Sequence, residues 1–174
     1  VCNERGGCRD DVLVYRIEDE ECLVVCNAAN RAKVVEHIAA VRGDMVFTMT
    51  DETESTAMVA VQGPKVMGLL AEFSTSVREL KRYRFLQKNI VFARILVSRT
   101  GYTGEDGIEA ILPKALAKRA VHMMLGNLDA DAPAVKPCGL GARDSLRLEA
   151  GMALYGHELD EDTDPVSAGL GFAM

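Results

Sequence analysis

Short β-branched apolar runs that stop at acidic or glycine-containing turns constrain this chain most, because each is too short for a long helix and too apolar for a loop. DVLVYRI (11–17) and ECLVVCN (21–27) flank an acidic EDE turn and predict a β-hairpin whose strands are apolar, and so buried, on both faces. AANRAKVVEHIAAVR follows with Val34, Ile38 and Val41 at helical spacing and Gly43 as its stop. TAMVAVQGP predicts a strand that breaks at Gly63-Pro64, with Pro64 as the first residue of the helix PKVMGLLAEF. NIVFARILVSR and GIEAIL are two further strands joined by the glycine-rich TGYTGEDG, and helices are expected over PKALAKRAVHMML and over GLGARDSLRLEAG, between Gly139 and Gly151. Four or five strands mixed with four helices give an α+β fold. The polar stretches 51–56 and 127–133 are the best linker candidates.

The net charge of −6 argues against a general nucleic-acid surface, and no apolar run reaches the roughly 18 residues a membrane span needs. The expectation is therefore a soluble protein with no nucleic-acid partner and no membrane span. Five cysteines without C-x-x-C or Cys/His zinc spacing predict buried free thiols and no metal.

Three constellations could carry chemistry. Asp10 and Asp11 follow a glycine pair and precede an apolar run. On a strand the two would face opposite ways, one toward a pocket, unless both simply cap turn N–H groups. In RTGYTGEDGIEAIL the glycines at 101, 104 and 107 lack the dinucleotide spacing and bring backbone close to something else. Tyr102 adds an aromatic face with a polar tip, and Glu109 sits inside an apolar strand, either gripped by donors or exposed. In GLGARDSLRLEAG, Arg143 and Arg147 lie four apart on one helix face, with no acid four residues away, so each calls for a tertiary carboxylate or an anionic ligand. HELDEDTDP alternates aspartates as a calcium loop does, but Pro165 and Gly171 occupy the places of the turning glycine and the bidentate glutamate, so it predicts a solvated loop.

Taken together, NERGGCRDD, AVQGP, SRTGYTGEDGIE and CGLGARDSLRLEAGMALYGHELDEDTDPVSAGLGFA resemble the aminomethyltransferase, or T-protein, of the glycine cleavage system over essentially the whole chain. The resemblance implies transfer of a one-carbon unit from the aminomethyl group on a lipoylated H-protein to tetrahydrofolate, with release of ammonia. It assigns Asp10 to orienting and electrostatically assisting the reacting folate amine. Glu109 would hold the pterin edge, Tyr102 and Arg143 would contact folate, and Asn27 would lie near its pocket. Asp11 would be a structural cap on the opposite side and Arg147 structural. Folate-dependent demethylases and a non-catalytic folate-binding module share this architecture and remain the alternatives. A branch tied to iron–sulfur assembly carries a lysine-glycine-cysteine segment that is not found here.

The same resemblance implies interleaved antiparallel-sheet domains with flanking helices around a folate-binding core. Residues 1–50 with 112–158 would form one domain, and 51–111 with 159–174 part of a second. Family members extend further at both ends, through an N-terminal segment carrying a pocket tyrosine and a C-terminal β-barrel, both expected to be missing here. Cys8 replaces the aliphatic residue usual before the aspartates.

Overall fold

The computed structural model describes residues 1–71, 74–90, 93–126 and 135–173. The linker candidate at 127–133 lies outside the described residues. Two compact units divide the chain. One comprises Val1–Met49 with Ala153–Met174, and the other Thr50–Met152.

In the first unit the hairpin forms where the sequence placed it, as β1 (Leu13–Arg16) and β2 (Cys22–Val25), with Val14 opposite Val24 and Tyr15 opposite Leu23. It is not buried on both faces. Tyr15 is buried, but Val14 keeps 60% of its surface and Val24 is also exposed, because a sheet of two strands has no second layer on that side among the described residues. A 3-10 turn over Ala28–Asn30 leads into α1 (Arg31–Val41), with Val34 buried.

Residues 153–174 join this unit through specific polar contacts. Asn3 Nδ2 donates to Glu161 O (2.8 Å), and Cys8 N to Thr163 O (3.1 Å). Lys33 Nζ reaches the Tyr155 hydroxyl at 2.6 Å and Glu161 Oε1 at 3.1 Å. Leu159 is fully enclosed. A side chain at Gly7 would collide with the Glu161 carbonyl, which accounts for the second glycine of RGGC. Asp160, Asp162 and Asp164 are exposed, as expected of a solvated loop. Asp164 accepts from Val166 N and Ser167 N, and Asp162 pairs with Arg5.

The second unit is a four-stranded antiparallel sheet in the order β3 (Thr56–Gln62), β6 (Gly107–Pro113), β5 (Ala93–Ser98), β4 (Phe85–Ile90). β4 is an addition to the expected strands. The sequence predicts one strand over NIVFARILVSR, whereas β4 and β5 pair antiparallel on either side of residues 91–92, which lie outside the described residues. β4 is an edge strand, and its Gln87, Lys88 and Asn89 dilute the apolar signal that marks central strands. α2 (Val66–Ala71) begins two residues after Pro64, and a short α3 (Thr75–Arg78) follows. α4 (Lys114–Leu125) leaves β6 directly after Pro113, and α5 (Leu140–Glu149) ends before Gly151 in its left-handed conformation (φ 68°).

Val66, Leu70, Val77, Val97 and Ile108 form the core of this unit, with Val61, Leu86, Ala110 and Met124 against it. α2 and α4 thereby cover one face of the sheet. Register puts Ala60, Glu109 and Ser98 on the other. The grouping differs from the expected one in two places: α4 and α5 fall with the four-stranded sheet, and residues 159–174 fall with Val1–Met49 and not with 51–111. α4 packs on β3 and β6, because no linker separates it from β6 and its Met124 extends the sheet's own core.

Of the five free cysteines only Cys8 is buried, and burial, then the neighbouring Cys2, pushes its thiol pKa up. Cys22 and Cys138 are exposed, so the expectation of uniformly buried thiols fails.

Candidate functional site

In the first unit Asp10 keeps 1% of its surface and is ringed by amide donors. Its Oδ2 accepts from Asn27 N (2.9 Å), and its Oδ1 accepts from Asn27 Nδ2 (2.8 Å) and Asn30 Nδ2 (2.6 Å). A buried carboxylate is tolerable only with such donors. Asn30 occupies the N-cap position of α1 yet makes no side-chain cap, its amide being turned onto Asp10. The residue at the helix start thus serves Asp10 and not the helix N-terminus.

Asp11 does not face away. Residues 10–12 precede β1, so strand alternation does not apply to them, and Asp11 Oδ1 accepts from the same Asn27 Nδ2 at 2.8 Å. Burial, opposed by the Asn27 hydrogen bond and reinforced by the Asp10 charge, raises its carboxyl pKa above the ordinary value. Asn27 thus holds two carboxylates together. Asn30 is absent from the sequence-based site, and the signal that could have found it is the N-A-A-N spacing, which brings both amides round one turn to the same side.

In the second unit the glycine-rich loop between β5 and β6 is closed at its base by an ion pair. Arg99 Nε donates to Asp106 Oδ1 (2.9 Å), Nη2 to Oδ2 (2.5 Å), and Nη1 to the Leu80 carbonyl (2.6 Å). Gln62 Nε2 bridges Thr100 O and Ile108 O, both at 3.1 Å, and any side chain at Gly101 or Gly107 would strike the Gln62 amide. That close approach is what two of the three glycines are for.

The Arg99 guanidinium holds the Asp106 carboxyl below its ordinary 3.8. The stabilisation is fully present above that ordinary value and disappears as pH falls through the depressed one. Asp106→Asn should cost about 1.5 kcal/mol at pH 7, the lower end for a charged hydrogen bond that is partly exposed. Urea unfolding would show that gap between the two proteins closing as the pH is taken well below 3.8.

The loop carries Tyr102, and the Arg143 guanidinium lies over its ring at 4.4 Å from the centroid. Two residues expected at the site are thus in contact. Arg147 has the opposite fate. It is buried, donating to Asp144 Oδ1 (2.8 Å) and the Met152 carbonyl (3.3 Å), so one carboxylate partner lies three residues back on its own helix. The donor that meets Glu109 is a hydroxyl. Its Oε2 accepts from Thr100 Oγ1 (2.5 Å), and Thr100 Oγ1 in turn lies 2.7 Å from Ser98 Oγ. Glu109 is half-buried, and its Oε1 has no protein partner among the described residues. No group of three His, Cys, Asp or Glu able to hold a metal occurs among the described residues, and no helix among them is long and apolar enough to cross a membrane.

Residues 1–174 match the family model described as the GCVT N-terminal domain. An aminomethyltransferase from Rubrobacter xylanophilus is 47% identical over 175 residues, covering 100% of this chain and 45% of the relative. One from Thermus thermophilus is 46% identical over 170 residues, covering 94% and 46%. The crystal structure of glycine cleavage system aminomethyltransferase T from Bartonella henselae superposes with a TM-score of 0.86 at 32% identity, over 99% of this chain and 45% of that one. The mixed helix-and-sheet fold is accordingly that of a T-protein, and the chain spans about half the length of the relatives it matches.

Proposed function

Because the chain belongs to the family of the GCVT N-terminal domain, we propose that it acts in the aminomethyl transfer of the glycine cleavage system, with tetrahydrofolate as acceptor and a lipoylated H-protein as donor. Ammonia and 5,10-methylenetetrahydrofolate are the products. Tetrahydrofolate supplies the amine that takes up the one-carbon unit. This chain's own residues bind it, orient it and place charge beside it. The bacterial sources of the relatives support a cytoplasmic setting.

The observation that carries the reading is the state of Glu109. A pterin edge offers an amino group and a ring N–H side by side, which calls for a carboxylate with acceptor sites to spare. Glu109 has Oε1 open and one oxygen already fixed by Thr100, on a strand entered from the loop that bears Tyr102. The Tyr102 ring, with Arg143 across it, supplies a flat surface and a positive charge suited to an aromatic anionic ligand.

Asp10 takes the role of electrostatic assistance to the reacting amine. Three of its roughly four acceptor sites are filled, which leaves one on Oδ2 and fixes the carboxylate in advance. Asn27 serves folate through Asp10, since its amide N–H groups are spent on Asp10 and Asp11.

The test is ammonia release from aminomethyl-lipoyl H-protein. It should require both this protein and tetrahydrofolate. Folate-dependent demethylation of an N-methylglycine, with no ammonia from the H-protein, would replace this reading with the demethylase one.

A further inference from the structure

The hydroxyl pair behind Glu109 has no part in the reaction just described, yet its geometry is specific. An ionised carboxylate only accepts, so at 2.5 Å Thr100 must donate its single proton to Glu109 Oε2. The Thr100 oxygen can then only accept from Ser98 Oγ at 2.7 Å, in preference to the longer 3.3 Å path from Ser98 to the Glu109 carbonyl. The result is a directional chain, Ser98 to Thr100 to Glu109, whose first member keeps 1% of its surface.

Thr100 is itself pinned. Its carbonyl accepts from Gln62 Nε2 (3.1 Å), and the preceding residue, Arg99, is clamped to Asp106 and to Leu80 O. Gln62 keeps a buried Oε1 without a partner among the described residues, a cost that an apolar side chain would avoid, so its place is explained by the two carbonyls it holds.

We infer that Thr100, backed by Ser98, is the positioning residue that sets the Glu109 carboxylate in its ligand-binding rotamer. Free glutamate side chains lose rotamer entropy when a ligand immobilises them, and fixing Oε2 beforehand moves that loss from binding to folding. The inference rests on the folate reading of Glu109.

The experiment is titration of the intact protein with tetrahydrofolate, with thermal melting of each variant as the control on folding. Thr100→Val should weaken binding about ten-fold, and Thr100→Ser, which keeps the hydroxyl, should stay within about two-fold of the parent. Ser98→Ala leaves Thr100 in place and should weaken binding about two- to three-fold, serving as the second variant if the valine protein does not fold. In a Glu109→Ala background the Thr100→Val change should add less than about two-fold, since nothing remains to be positioned. Undiminished binding by folded Thr100→Val, or an equal loss in the Glu109→Ala background, overturns the inference while the folate reading stands. No binding by the parent, or parental binding by Glu109→Ala, brings down the folate reading and the inference with it.

Discussion

Asp10→Asn is expected to lower turnover about 10²–10³-fold, the size of effect seen when a fixed charge or donor is removed from a reacting centre. The change keeps the shape and removes the charge. It also places an NH₂ group where Asn27 and Asn30 now donate, so at least one buried donor loses its acceptor. That mismatch should cost about 1–3 kcal/mol of stability, visible in the melting temperature. The separating readout is therefore the ratio of effects. Loss of kcat with folate affinity within about three-fold of the parent indicates work on the reacting amine. A protein that is merely less stable, with turnover intact at a temperature where it stays folded, would reduce Asp10 to an anchor for the start of α1.

Glu109→Gln should weaken tetrahydrofolate binding by about 1.5–3 kcal/mol, or roughly 10- to 150-fold. The glutamine oxygen can still accept from Thr100, which turns the new NH₂ toward the ligand and sets donor against donor on the pterin edge. Stability should change little, because Glu109 is half-buried and lies on the sheet face away from the α2 and α4 core. Once folate is saturating, turnover should largely recover, the pattern of a residue that binds and does not take part in the chemistry.

The strands and helices that the sequence yields most readily are β3, β5, β6, α1 and α4, from their apolar period, and α5, from the glycines that bound it. β4 escapes because an edge strand needs only one apolar face, and its polar centre reads as a turn. The exposure of Val14 and Val24 escapes because an apolar run reports what a segment prefers to bury and is silent on whether a second layer exists to bury it.

Among the candidate residues, Asp10, Glu109, Tyr102 and Arg143 stand out in the sequence by type and placement and Asn27 only through the resemblance, and the structure sets Asn27 on Asp10 and Arg143 over the Tyr102 ring. Their supports do not stand out. Asn30, Ser98, Thr100 and Gln62 are ordinary polar residues whose roles depend on which partner the fold brings within 3 Å. Asp11 departs from the expected opposite facing because alternation holds only inside a strand and β1 begins two residues later. Arg147 is buried and pairs with Asp144 at the i−3 position, a spacing that a four-residue pattern does not report.

The most direct measurement of the central claim is a calorimetric titration of tetrahydrofolate into the parent protein and into Glu109→Gln. The account predicts measurable binding by the parent and a 10- to 150-fold weaker constant for the variant. Equal constants for the two proteins, or no heat of binding by the parent, would contradict it.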